Sequence, residues 1–274
     1  MSFDDALTAA EHRLLELADG LDVPIEGKGR ECALAIGLGL HARDLYRGLL
    51  RECATGGIAT AMVTLRSLVE AAILVRWIEK DPPLHVDMYF AEDDRQRLAG
   101  AIAFDELRRR RSWPNREPVF PAELDRDMRT EIRRVRDRAR RAGEPVREQG
   151  AVLPHVEQMA DVNDTALWEA YQVVYRIVSP WTHVGGRALV GHLLESRPDG
   201  THVVPGALWT AASIKAIAAP AVAILIGGVS RICGLGVDGE CRGIQDALTL
   251  WPTEVFARDD RRSRDRGQEP DDRA

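Results

Sequence analysis

The chain has 274 residues, of which 45% are apolar and 29% charged, and its formal net charge is −6. This composition is typical of a soluble folded protein and excludes collagen-like, mucin-like and fully disordered chains. The four cysteines have no CxxC spacing and no companion histidines, so we expect neither a disulfide framework nor a zinc site. Residues 1–15 begin with acids and lack the pattern of a secretory signal, and a cytoplasmic location fits best.

Apolar residues recur at three- and four-residue steps along most of the chain, which predicts an all-α, multi-helix bundle of seven to ten helices. The predicted helices, in chain order, are Ser2–Gly20, Arg30–Thr55, Ile58–Lys80, Leu84–Arg111, Pro121–Ala142, Ala166–Val178 and Leu208–Val229. We expect the third and the last of these to be the most buried, because they are the most apolar long segments. A turn signal at Arg197-Pro198-Asp199-Gly200 predicts one small β-hairpin near residues 190–204.

The same patterns predict one helical domain over residues 1–256. The following segment, 257–274, holds six arginines and six acids with almost nothing apolar, so we expect it to be disordered. Residues 208–229 are long and apolar enough to span a membrane. Lys215, Pro220 and the pair Gly227-Gly228 favour a buried bundle helix instead, so we expect no membrane contact.

One segment, 105–147, is basic, with 14 arginines against nine acids. Its arginines, within residues 108–141, form either a phosphate-tracking surface that binds RNA or a solvated helix face with ion pairs between residues three or four apart. No aromatic residue interleaves the basic helix, so base stacking has no platform there. We therefore favour the ion-paired face.

The sequence contains no common catalytic or cofactor-binding motif in the structural context that such a motif requires. Gly234 to Gly239 spell GxGxxG, but a helix precedes them where the dinucleotide fingerprint needs a strand, so they predict a helix-ending turn. The sequence contains no GxSxG, Walker or HExxH motif, and no pair of Glu-x-x-His motifs for a di-metal site. We accordingly predict no cofactor and no metal.

The most informative segment surrounds Arg176 and His183. They are seven positions apart, with six residues between them, which is close to two helical turns, so on a continuous helix both side chains point the same way. Pro180 interrupts such a helix. If the helix breaks there, Ser179 is the N-cap of a new helix, and His183 lies in an opening turn of the kind that binds phosphate. The aromatic stripe before them predicts core packing and consists of Trp168, Tyr171 and Tyr175.

Two resemblances follow from these residues. The phrase Leu65-Arg66-Ser67-Leu68-Val69-Glu70-Ala71, together with Tyr175-Arg176-x-x-Ser179-x-x-x-His183, resembles an uncharacterised bacterial all-helical family known only as a domain of unknown function, over about residues 51–192. The spacing from Arg176 to His183 is also similar to the Arg-(four to six residues)-His signature of HEPN-domain ribonucleases. Those proteins are helical bundles that dimerise and cleave RNA without metal, so the resemblance implies a homodimer and an RNA substrate.

The HEPN resemblance implies that His183 is a general acid or base for attack by a ribose 2′-hydroxyl, and that Arg176 stabilises the developing phosphorane. Ser179 is the third catalytic candidate. The candidate binding residues are Tyr175, Arg66 and Glu70.

A structural interpretation of these residues stays open beside the catalytic one. His183 and Ser179 then form hydrogen bonds within the bundle, Arg176 pairs with an acid such as Glu70, and Arg66 and Glu70 form a buried structural ion pair. The function is accordingly either that of a metal-independent endoribonuclease, of a defence or toxin type, or that of a non-catalytic helical module that binds a protein partner.

Overall fold

A computed structural model describes residues 3–24, 26–111, 119–147, 150–160, 168, 171–172, 192–197, 200–205 and 210–249. These residues form eight α-helices and one two-stranded sheet, which confirms the predicted all-α class. The helices are α1 (Phe3–Asp19), α2 (Arg30–Thr55), α3 (Ile58–Lys80), α4 (Pro82–Arg110), α5 (Ala122–Arg141), α6 (Val156–Met159), α7 (Ala211–Cys233) and α8 (Asp238–Thr249). The predicted disordered segment, 257–274, lies outside the described residues.

The helix ends follow local sequence chemistry. Asp81 caps α4, since its side chain accepts a hydrogen bond from the backbone N–H of Leu84 at 3.3 Å. Pro82 and Pro83 occupy the first two helical positions, where no intrahelical N–H donor is needed, so the predicted start at Leu84 was wrong by two residues. Gly234 ends α7 with a left-handed backbone (φ 67°), which confirms that the GxGxxG match is a helix-ending turn.

The hairpin predicted near residues 190–204 is present and spans residues 192–205. Strand β1 (His192–Arg197) pairs antiparallel with β2 (Gly200–Pro205). Arg197 pairs with Gly200, so two residues connect the strands, as the turn signal requires.

Two helices were not predicted: α6, which has only four residues, and α8, whose glycines weaken the helical pattern. The predicted helix Ala166–Val178 lies mostly outside the described residues.

The chain divides into two compact units. The first comprises Met1–Arg76 and Val162–Ala274, and the second comprises Trp77–Asp161. Helix α3 continues across the boundary between Arg76 and Trp77. The expectation of a single domain over residues 1–256 stays a prediction.

In the first unit, α7 is the central helix and packs against α1, α2 and α8. Its buried residues run almost without interruption from Ala218 to Ser230, which confirms the prediction that this segment is among the most buried. Gly39 lets α2 lie close to Leu21 and to Val229 of α7. A Cβ at that position would lie 2.5 Å from Leu21 Cδ1 and 3.4 Å from Val229 Cγ2. Lys215 lies at the edge of this core and pairs with Glu11 of α1 at 3.1 Å.

In the second unit, α4 packs against α5. Most residues of helix α5 are polar, and its buried residues form one stripe of Met128, Ile132, Val135 and Ala139. Polar contacts join the elements of the unit: Arg138 of α5 pairs with Asp87 of α4 at 2.7 Å, and the backbone N–H of Val152 donates to Glu92 of α4 at 2.7 Å.

Helices α3 and α7 are both long and apolar enough to cross a membrane by length and composition. Half of the apolar window of α3 and 67% of that of α7 are buried within the protein. A core helix meets the same criteria, so this finding is weak evidence for a membrane span. The absence of membrane contact stays a prediction.

Candidate functional site

Exposed apolar side chains concentrate at the end of α4 and the start of α5. Among the described residues, seven large apolar side chains are exposed, and five of them lie in this one stretch of the second unit. We call these five residues the junction surface; they are Ile102 (52% exposed), Phe104 (46%), Leu107 (43%), Val119 (41%) and Leu124 (43%). Single exposed apolar residues are ordinary, whereas a contiguous apolar patch often marks a contact surface. Phe104 and Leu107 are three residues apart and share one side of α4, while Ile102 lies on the opposite side from Phe104.

The surface arises because α4 is longer than the core against which it packs. The last buried residue of α4 is Ala101, yet the helix continues for nine more residues to Arg110. The buried stripe of α5 begins only at Met128, in the second turn of that helix. Among the described residues between Ala101 and Met128, namely 102–111 and 119–127, none is therefore buried.

Asp105 and Arg108 contact two residues of the junction surface, Val119 and Phe104. The backbone N–H of Val119 donates to Asp105 at 3.4 Å, and Arg108 pairs with the same carboxylate at 3.4 Å. The guanidinium of Arg108 also lies over the ring of Phe104, 5.8 Å from its centroid. The segment that carries Val119 is thus tied to the side of α4.

Arginines adjoin the junction surface at the end of α4. Arg109 and Arg110 both pair with Glu106, at 2.9 and 2.8 Å, and their side chains are 71% and 75% exposed. Arg111 follows as the C-cap residue and is also exposed. We call Arg109, Arg110 and Arg111 the arginine cluster.

The arginines of α5, in contrast, mostly contact acids or carbonyls of their own helix. Arg129 pairs with Asp125 at 2.9 Å, and Arg134 pairs with Glu131 at 2.5 Å. Arg140 pairs with Asp137 at 3.5 Å, and Arg133 and Arg141 donate to backbone carbonyls one turn earlier. These contacts support the interpretation of α5 as an ion-paired helix face more than that of a surface that tracks phosphates.

The predicted binding residues Arg66 and Glu70 form an ion pair across one turn of α3, with Nε and Oε1 3.2 Å apart. The predicted pair is formed, and its side chains are 17% and 36% exposed. Such a partly exposed pair contributes little to stability, because solvent screens it.

The remaining predicted site residues, Tyr175, Arg176, Ser179 and His183, lie outside the described residues. Two members of the aromatic stripe are described. The rings of Trp168 and Tyr171 stack with centroids 5.8 Å apart, and Tyr171 is 6% exposed. Their contact supports core packing for this part of the stripe.

Sequence reasoning did not single out two buried polar residues of α4, Glu92 and His85. Burial alone would raise the pKa of Glu92, but hydrogen bonds from Arg95, the Val152 N–H and Gln96 hold that pKa below its ordinary value. The sequence signal for these contacts is that Arg95 and Gln96 follow Glu92 by three and four residues, the spacing of neighbours on one helix face. Glu92 is saturated with protein donors, which is the pattern of a structural carboxylate.

The described residues contain no group of three or more His, Cys, Asp or Glu side chains placed to hold a metal ion. All four cysteines are free. Burial raises the pKa of the Cys53, Cys233 and Cys241 thiols, so these thiols are weaker nucleophiles than an ordinary cysteine.

The fold and the junction surface define an all-α protein of two compact helical units, one of which presents an exposed apolar and basic surface. The chain belongs to the family of unknown function DUF5677, whose family model matches residues 33–201, more than half of the chain. This match confirms the resemblance to an uncharacterised helical family. No curated protein and no solved structure shows significant similarity to the chain.

Proposed function

We propose that this protein is a helical interaction module that binds a protein partner through the junction surface. The observation that carries the proposal is the concentration of five exposed large apolar side chains at the end of α4 and the start of α5. Protein interfaces are enriched in aromatic residues and arginine and depleted in lysine. The junction surface includes Phe104, which is 46% exposed, and Arg109, Arg110 and Arg111 follow it at the end of α4. Residues 102–124 contain no lysine.

The alternative function is that of a HEPN-like, metal-independent ribonuclease. Its catalytic candidates, Arg176, Ser179 and His183, lie outside the described residues, so it stays a prediction. The ion pairs along α5 favour the interaction module, because arginines already paired with carboxylates must break those contacts before they bind phosphate.

A peptide-display selection on the full chain tests the proposal. We expect a random dodecapeptide library to yield peptides that bind the wild-type protein. We expect the double variant Phe104→Ser/Leu107→Ser, which changes two residues on one side of α4, to lose that binding by about ten-fold or more, which is about 1.4 kcal/mol. Both side chains are exposed, so the variant should keep its helical circular dichroism and its stability within about 0.5 kcal/mol.

The matched control is Val63→Ser, which changes an apolar side chain of similar exposure (40%) on α3, outside the junction surface. It should bind the selected peptides as the wild type does. Failure to enrich any peptide, or equal binding by the double variant, would refute the proposal. Loss of single-stranded RNA binding in the double variant, with no peptide bound by the wild type, would assign the surface to RNA instead.

A further inference from the structure

Two cysteine side chains meet where the start of α2 contacts the end of α7. Cys32 lies in the first turn of α2, and Cys233 is the last residue of α7. The Cys233 thiol donates to the Cys32 backbone carbonyl, with sulfur and oxygen 3.6 Å apart, and the two side chains are also in hydrogen-bond contact with each other. The two sulfur atoms are therefore neighbours, although the residues are 201 positions apart in the chain.

The packing of α2 against α7 holds the two cysteines together. Further along the same interface, a Cβ at Gly39 of α2 would lie 3.4 Å from Val229 Cγ2 of α7. Gly39 follows Cys32 in the chain, whereas Val229 precedes Cys233, so the two helices run in opposite directions here. Two separate contacts thus fix the position of one helix end against the other.

The other two cysteines lack such a neighbour. Within the part of the chain that the structure describes, no contact joins Cys53 of α2 or Cys241 of α8 to another cysteine. Both of these thiols are buried, as is that of Cys32, whereas Cys233 is half-buried and therefore accessible to a small reagent. A disulfide forms only where two sulfur atoms can approach each other without a large backbone movement. Cys32 and Cys233 are the pair that meets this condition.

We propose that Cys32 and Cys233 form a reversible disulfide when the protein reacts with a small-molecule disulfide such as oxidised glutathione. Cys32 belongs to the first chain segment of the first unit, Met1–Arg76, and Cys233 belongs to the second, Val162–Ala274. The bond joins these two segments covalently, and it closes a long loop, which restricts the unfolded chain. Oxidation therefore stabilises the first unit, and the pair is a redox switch of its stability.

Two thiol–disulfide exchange steps form the bond. Cys233, the more accessible residue, attacks the small-molecule disulfide as a thiolate, whose partner S–S bond breaks and releases one small thiolate. The Cys32 thiolate then attacks the Cys233 sulfur of the mixed disulfide and releases the second small thiolate. The two cysteines are oxidised, the reagent is reduced to two thiols, and the two cysteine protons pass to the departing thiolates.

The surroundings of Cys233 make the first step slow at neutral pH. Burial, and secondarily the hydrogen bond to Cys32, raises the pKa of Cys233 to about 12, and the charge of Lys28 offsets part of this rise. Because the thiolate is the attacking species, exchange accelerates as the pH rises toward that pKa. The switch therefore responds to sustained oxidising conditions, and its test is best run at mildly alkaline pH.

The test treats the full chain with oxidised glutathione and maps its peptides by mass spectrometry without reduction. We expect the wild type to yield two peptides linked through Cys32 and Cys233, and we expect dithiothreitol to separate them. The melting temperature of the oxidised protein should lie about 5–15 °C above that of the same protein after reduction.

Single variants check the order of the steps. Cys32→Ala should stop at the mixed disulfide on Cys233, and Cys233→Ala should leave Cys32 unmodified, so neither variant should gain melting temperature on oxidation. The control, Cys53→Ala/Cys241→Ala, removes the two cysteines that have no cysteine neighbour. It should keep both the linkage and the rise in melting temperature, with each variant compared with its own reduced form.

The wild-type peptide map decides the linkage even where a variant fails to fold. Glutathione on Cys233 without the linkage, or a linkage between any other two cysteines, would overturn the proposal. A linked protein that melts no higher than its reduced form would overturn the stability switch.

Discussion

The imidazole of His85 stacks on the indole of Trp77, with centroids 3.8 Å apart and ring planes 12° from parallel. Its Nδ1 donates to the Trp77 backbone carbonyl at 2.5 Å. Its Nε2 lies 3.1 Å from Glu144 Oε1, without the alignment of a hydrogen bond. A residue in the first turns of α4 thus ties that helix to the end of α3 and to the segment after α5.

We expect His85→Gln to lower the free energy of unfolding by about 1–3 kcal/mol, because it removes the ring stack and leaves a buried carbonyl without its donor. Denaturant titration measures the change. His41→Gln, at an exposed position of α2, is the control and should change stability by less than about 0.5 kcal/mol. A His85 variant as stable as that control would show that the stack contributes nothing.

Glu92→Gln should weaken the acid sensitivity of the protein. Hydrogen bonds hold the pKa of Glu92 below its ordinary value of about 4.3, so its stabilising contribution is complete above that pH. The contribution is lost as the pH falls through the lower pKa of the folded state. The variant should therefore be less stable near neutral pH and should lose less stability below about pH 4.

Denaturant midpoints measured across that acid range test the Glu92 prediction. Glu26→Gln, an exposed residue between α1 and α2, should leave the pH profile unchanged. Parallel pH profiles for the wild type and Glu92→Gln would contradict the prediction.

Tyr46→Phe should stabilise the protein or leave its stability unchanged. Tyr46 is fully buried, and its hydroxyl has no hydrogen-bond partner within the part of the chain that the structure describes. Burial, and secondarily the charge of Glu11, raises the pKa of Tyr46, so the hydroxyl stays protonated. Removing a buried unpaired hydroxyl relieves a cost of about 1–3 kcal/mol. A loss of stability in chemical denaturation would instead reveal a bound water or ligand on this hydroxyl.

Two glycines of α2 should respond oppositely to alanine. In Gly39→Ala the new methyl group meets Leu21, so we expect destabilisation by about 1–3 kcal/mol. A Cβ at Gly37 would meet nothing within 4 Å, so Gly37→Ala should gain up to about 1 kcal/mol from helix propensity. Thermal melts of the pair check the packing of α2 against Leu21 and Val229, and equal shifts would contradict it.

The ribonuclease prediction has its own experiment. If Arg176 and His183 form an active site, the wild type should cleave single-stranded RNA in the presence of a chelator, since 2′-hydroxyl attack assisted by histidine needs no metal. His183→Ala and Arg176→Ala should each lose most of that activity and keep the wild-type melting temperature. Destabilised variants of a wild type without cleavage would end the ribonuclease hypothesis and favour the structural interpretation.

Periodicity predicted the long helices well, because the apolar spacing of α2, α3 and α5 is a local signal. The helix boundaries at Gly56 and Pro82 are local signals as well. It missed α8, whose helical pattern is weak, and it misplaced the start of α4, because a proline pair ends one helix as readily as it begins the next. The junction surface was not foreseen either. Ile102, Phe104 and Leu107 look like ordinary apolar residues until the structure shows that the core of α4 ends at Ala101.

The division into two units has a consequence for synthesis on the ribosome. The second unit is one continuous stretch of chain, so it can fold as soon as residue 161 has left the exit tunnel. The first unit needs α7, which ends at Cys233, to cover the apolar faces of α1 and α2, and α2 ends at Thr55. Those 178 intervening residues take roughly 9 to 36 s to translate at about 5–20 residues per second. Throughout that interval α1 and α2 lack the central helix against which both pack in the folded protein.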